Sequence, residues 1–154
     1  MTTKLNLTIE PQKGMDCLTF GMSIDDVVKI LGNASIQDDN QDEDGFSYIE
    51  LSYDDYDMSL FFEGDGAPSY LSDIEIENPE TTLFGVKIFE LNKEQVIDLM
   101  EKNGYNDADV NMDEELQEEC VSYDNEIIDF YFDNDKLVSV NFGVILGPDG
   151  EIIK

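Results

Sequence analysis

Leu5, Leu7 and Ile9 alternate with Asn6, Thr8 and Glu10, the period of a half-buried strand, and Pro11 stops it. Lys13-Gly14 reads as a turn, and residues 17–20 as a short extended piece. The period then changes. Ile24, Val27, Val28 and Leu31 follow the i, i+3, i+4, i+7 spacing of a helix with one apolar face, entered at Ser23 and ended at Gly32. Asp25 and Asp26 complement the amino-terminal end of that helix. Residues 33–44 are polar and predict a loop. Three alternating runs follow at 46–53, 57–63 and 70–77, with a turn at 64–68 between the last two, and they predict a three-stranded meander.

After residues 84–91, expected to be extended, the same devices return. Asn92 is a second N-cap with Gln95 at N3, Val96, Ile97, Leu99 and Met100 form the apolar face, and Gly104 is the stop. Residues 105–119 fit a short helix or an additional strand. Runs at 127–133 and 137–142 restate the meander around an Asp133-Asn134-Asp135 turn, and a final hairpin or a turn into a terminal strand is expected around 147–150. The repetition extends to residue identity. Ser52-Tyr53-Asp54 opens a stretch containing Leu60-Phe61-Phe62, and Ser122-Tyr123-Asp124 opens one containing Phe130-Tyr131-Phe132. The expected fold is α+β: one domain over residues 1–154, built from two tandem helix-plus-antiparallel-meander repeats at about 15–78 and 84–146, with both helices on one face of the sheet. Alternation places Met58, Leu60, Phe62, Ile74, Ile76, Ile128, Phe130, Phe132, Val138, Val140 and Phe142 inward.

Charge changes the picture more than composition does. Eight basic residues stand against 37 acidic ones, a formal net charge of −29. All eight bases are lysines, so the planar guanidinium fork that grips phosphate is missing. Nucleic acid and anionic membrane are poor partners for such a chain, and a basic protein is a good one. There is no histidine, which excludes imidazole-dependent catalysis, and Cys17 and Cys120 have no metal or redox spacing. No apolar run approaches the ~18 residues of a membrane span. The expectation is a cytoplasmic protein with reduced thiols, no cofactor, no catalytic residues and no metal ligands.

The Phe20-Gly21-Met22-Ser23 entry and Ile30-Leu31-Gly32 exit of the first helix, followed by a meander and repeated, resemble the beta-lactamase inhibitory protein family and related outer-membrane assembly lipoproteins. That resemblance implies a concave sheet presented to another protein. The small, acidic character also resembles bacterial immunity proteins. Together these imply an inhibitor or immunity protein that neutralises a basic partner such as a toxin. The alternative is a cation-binding or scaffold module using Asn40, Asp42, Asp44 and Gly45, which imitate the start of a calcium loop but place Leu51 where its closing Glu belongs.

The face opposite the core is the candidate binding surface. Alternation gives it Tyr48, Glu50, Ser59, Phe61, Asp73 and Glu75 from the first repeat, and Asp129, Tyr131, Ser139 and Asn141 from the second. Rigid aromatics ringed by carboxylates suit a basic partner. Asp54, Asp55, Tyr56 and Asp57 form a second candidate, an acidic turn around one aromatic.

Overall fold

Both helices begin where the sequence supplies a side-chain cap. In the computed structural model, which describes residues 6–41, 47–63, 69–115, 118–147 and 151–153, Ser23 accepts from the Asp26 amide at 3.2 Å to start α1 (Ile24–Leu31). Asn92 and Gln95 exchange two 2.9 Å bonds, a complete capping box, to start α2 (Lys93–Lys102). Asn92→Ala is therefore expected to cost about 1 kcal/mol, read as a fall in thermal midpoint.

Ahead of α1 lie three short strands, β1 (Thr8–Glu10), β2 (Gly14–Met15) and β3 (Leu18–Thr19). After it come β4 (Ile36–Gln41), β5 (Ser47–Tyr53), β6 (Met58–Glu63) and β7 (Tyr70–Ile76). The hairpin of β8 (Thr82–Leu83) and β9 (Val86–Lys87) precedes α2, and β10 (Asp109–Asp113), β11 (Glu118–Tyr123), β12 (Ile128–Asp133) and β13 (Lys136–Gly143) follow it. A last hairpin pairs β14 (Ile145–Leu146) with β15 (Ile152–Ile153).

The described residues form an α+β fold with two α-helices and a large antiparallel sheet of eight strands, in the order β10-β11-β12-β13-β7-β6-β5-β4. The seam between β13 and β7 joins the two groups of four. A smaller sheet, β3-β2-β1-β8-β9, ties the segments ahead of each helix together through a parallel β1–β8 pair. Val27, Leu31, Val96 and Met100 of the helices share one buried cluster with Leu60, Phe62, Ile74, Phe130, Val140 and Phe142 of the sheet. One face of the sheet is thus the floor of the core.

Several expectations are corrected. Residues 36–41, read as loop, form β4, because an edge strand needs only backbone pairing with β5 and Gln37 to Gln41 supply no apolar signal. Each meander consequently has four strands, and residues 109–113 are the second added one. Residues 84–91 are not one extended run: Phe84 and Gly85 both take positive φ to turn the β8–β9 hairpin, and a single 3₁₀ turn covers Ile88–Glu90. Val138 was expected inside, but the β12–β13 register slips between Tyr131 and Phe132, so Leu137 is buried and Val138 is only half-buried. An equivalent slip between Phe61 and Phe62 puts Leu71 inward and passes over Ser72. The expected turns at 64–68 and 148–150 lie outside the described residues, as do Asp42, Asp44 and Gly45 of the calcium-like loop.

Candidate functional site

The register carries one line of residues across the outer face of the whole sheet. Asp109, Ser122, Asp129, Asn141, Glu75, Ser59, Ser52 and Ile36 are successive cross-strand partners from β10 to β4. Neighbouring partners are Asp73, Phe61 and Glu50 on one side, and Cys120, Tyr131 and Ser139 on the other. Tyr48 lies near Phe61, with ring centroids 6.3 Å apart. Nine expected residues, Tyr48, Glu50, Ser59, Phe61, Asp73, Glu75, Asp129, Tyr131 and Asn141, therefore occupy one face, and all are partly buried.

The acidic turn divides. Asp54 and Asp57 are exposed and border this face, whereas Asp55 is exposed elsewhere on the 3₁₀ turn Asp54–Tyr56. Tyr56 does not project; it packs against the core cluster. Asp57 takes a left-handed conformation, φ 49°, and its carbonyl accepts from the Glu77 amide at 2.9 Å. That bond brings the turn against the end of β7.

An open depression of about 250 Å³ results, lined by Ile36, Ser52, Asp54, Asp57, Met58, Ser59, Glu75 and Glu77. Four carboxylates and two hydroxyls ring it, with one exposed apolar wall at Ile36. Ser52 and Ser59 hydroxyls lie 3.3 Å apart, and Ser52 also donates to Glu50 at 3.4 Å. Ile36, Ser52 and Glu77 were not singled out from sequence. Alternation could have found Ser52, which sits opposite Ser59; Ile36 was hidden in an unrecognised strand.

Burial dominates the electrostatics. Asp73 is pushed up to about 8 by desolvation, offset in part by the Ile74 amide and the Asn141 side chain and reinforced by Asp129 and Glu75. Glu75 is raised by desolvation and then by Glu77 and Glu50, against a Ser139 hydrogen bond. Desolvation likewise raises Asp129, which Ser122 hydrogen-bonds. The Tyr131 hydroxyl is raised by burial and by its bonded neighbour Cys120. The centre of this face holds protons more tightly than free carboxyls do. Among the described residues, no group of three or more His, Cys, Asp or Glu side chains is arranged to hold a metal ion. Cys17 and Cys120 are not joined in a disulfide, and no described helix is long and apolar enough to cross a membrane.

No protein-family model and no curated protein sequence matches the chain. A solved structure does: an extracellular protein containing a SCP domain from Bacillus anthracis str. Ames, at TM-score 0.51 and 13% identity. The match covers 93% of this chain and half the length of that one. It concerns the fold alone. It also corrects the resemblance to the beta-lactamase inhibitory protein family and to immunity proteins, since the structural likeness leads to a different extracellular protein. The residues behind that resemblance, a Gly turn, a Ser cap and a Gly stop, are requirements of helix entry and exit and specify no family.

Proposed function

We propose that this chain is a non-enzymatic recognition module whose outer sheet face captures a basic protein and blocks the surface it covers. The acidic depression carries the reading. A Lys or Arg side chain would lie with its stem on Ile36 and Met58 and its charged head among Asp54, Asp57, Glu75 and Glu77. The net charge of −29 steers such a partner and makes its approach sensitive to salt. Half-buried Phe61, Tyr48 and Tyr131 offer flat apolar contact beside it. Nothing in the reading needs the partner to be a toxin.

The test is a titration of the full chain with an Arg-rich decapeptide, followed residue by residue by amide NMR. Shifts should concentrate at Ser52, Ser59 and Glu75. Phe61→Ala and Tyr131→Ala should each weaken binding about fivefold, a loss of about 1 kcal/mol, and added salt should act mainly on the on-rate. If both variants bound as tightly as the parent, the face would be wrong.

The two halves of the large sheet are further proposed to be copies of one helix-plus-meander unit. Supporting this, the bulges fall at Phe61/Phe62 and Tyr131/Phe132, the preceding turns both end in left-handed residues, Asp57 and Ile127, and both turns start from buried tyrosines. The copies have diverged: the Tyr53 hydroxyl donates to Gly32 at the end of α1, while that of Tyr123 is buried with no hydrogen-bond partner among the described residues. The cytoplasmic location expected from sequence is kept as part of this proposal; the fold likeness to an extracellular protein, at 13% identity, bears on fold only.

A further inference from the structure

Among the described residues, β10 is the last strand at one end of the large sheet and pairs with β11 on one side only. Its five pairs run in unbroken register from Asp109↔Ser122 to Asp113↔Glu118. The backbone groups on its far side therefore form a regular row, the template on which a further strand adds. Natural edges are blunted by charge, proline or a bulge; β10 has no lysine, proline or bulge, and its charges are the acidic Asp109 and Asp113, which repel an acidic strand and admit a basic one.

The side chains of this edge sort by face. Val110 stands opposite fully buried Val121 on the helix side, yet is 46% exposed; Met112, opposite Glu119 on the same side, is 57% exposed. Glu119 is ion-paired at 2.7 Å with Lys93 of α2, which confirms that side as the helix side. Asp109 and Asn111 belong to the other face, where Asp109 heads the polar line that continues through Ser122 and Asp129. The core floor simply ends here, with two apolar side chains uncovered.

We propose that the β10 edge takes up an extended segment of the basic partner as an added strand, its apolar side chains covering Val110 and Met112 and its Lys or Arg side chains lying beside Asp109. The inference rests on the basic-partner reading and adds to it a second contact, at the end of the sheet away from the acidic depression. Main-chain hydrogen bonds give such a complex its affinity, and the alternation of side chains gives its specificity. Charge decides against a second copy of this chain as occupant, because two molecules of net charge −29 would meet edge to edge. The opposite edge is a poorer host: on β4 the exposed apolar residue, Ile36, lies on the polar face opposite Ser52.

The experiment uses the full chain and three synthetic peptides: an alternating Lys-Val heptamer, the same heptamer with two adjacent backbone amides N-methylated, and a heptamer of equal composition with its lysines in one block. The alternating peptide should bind tightest and slow amide exchange within 109–113, and N-methylation, which blocks both peptide edges without touching charge, should weaken it about tenfold. The double variant Val110→Thr, Met112→Gln changes exposed side chains only and should lose about fivefold in affinity for the alternating peptide. Equal binding of all three peptides, or protection that falls on Ser59 and Glu75 instead of β10, overturns strand addition while the basic-partner reading stands. Failure of every basic peptide to bind at low salt overturns both.

Discussion

Gly143→Ala is expected to be strongly destabilising. A Cβ there would lie 2.3 Å from the Ser72 carbonyl oxygen, 2.8 Å from Asp73 Oδ1 and 3.1 Å from the Asp73 Cα. The two nearest obstacles are backbone and a half-buried carboxyl on a packed strand, so neither can swing aside as a lysine tip would. Retreat is blocked from the other direction as well: the Gly143 amide donates to Ile127 and the Val144 amide to Ser72, both at 2.9 Å. Gly143 opposes Asp73 at the seam where β13 meets β7, the one contact that makes a single sheet of the two groups of four strands. Forcing the strands apart there should cost about 3 kcal/mol or more, a fall of roughly 6–12 °C in thermal midpoint for a chain of this size. Gly85→Ala is the matched comparison. Its φ of 80° strains any side chain, but nothing lies within 4 Å, so the loss should stay at about 1–2 kcal/mol. A Gly143→Ala protein that unfolded within 1 kcal/mol of the parent would mean that the seam is not close-packed.

That seam also shows where sequence reading ends. Period-2 alternation is enough to sort Leu60 and Phe62 from Phe61, and Phe130 and Phe132 from Tyr131, because within one strand the pleat sends successive side chains to opposite faces. Helix entry is equally readable, since Ser23 and Asn92 satisfy amides one turn away. A bulge is different. It adds one residue to one strand without changing the local hydrophobic pattern, so Val138 looks as inward as Leu137 until the partner strand is known. Edge strands fail for a related reason: β4 and β10 pair with a neighbour on one side only among the described residues, and that backbone pairing leaves no period-2 apolar signal in the sequence. The candidate site mixes both cases. Glu75 beside Ser59 follows from alternation across a meander, but the meeting of Asp54 and Asp57 with Glu77 depends on a left-handed turn closing over the end of β7.

The second large effect is a pH dependence that runs opposite to ordinary acid denaturation. Asp73 has an unperturbed value of 3.8 and is pushed up to about 8 in the folded protein, chiefly by burial between β13 and β6. Between those two values the folded carboxyl keeps a proton that the unfolded chain has lost. The native state then binds more protons than the unfolded state, and stability falls as pH rises, by at most about 1.4 kcal/mol per pH unit for one group. Below the unfolded value both states are protonated, and the contribution is fully present; above about 8 both are ionised and it is gone. Glu75 and Asp129 are raised by the same cause and add to the trend. Asp73→Asn keeps the shape and the neighbouring amide of Asn141 but cannot ionise. Urea unfolding at pH 5, 6, 7 and 8 should therefore show the parent losing stability steadily, and Asp73→Asn losing less and overtaking it at pH 8. General repulsion from a net charge of −29 also grows with pH, so the series is run in high salt, which screens distant surface charges far more than a buried carboxyl. Parallel curves for parent and variant would show that Asp73 is ionised at neutral pH, and the centre of the outer face would then present to a partner one more negative charge than burial there implies.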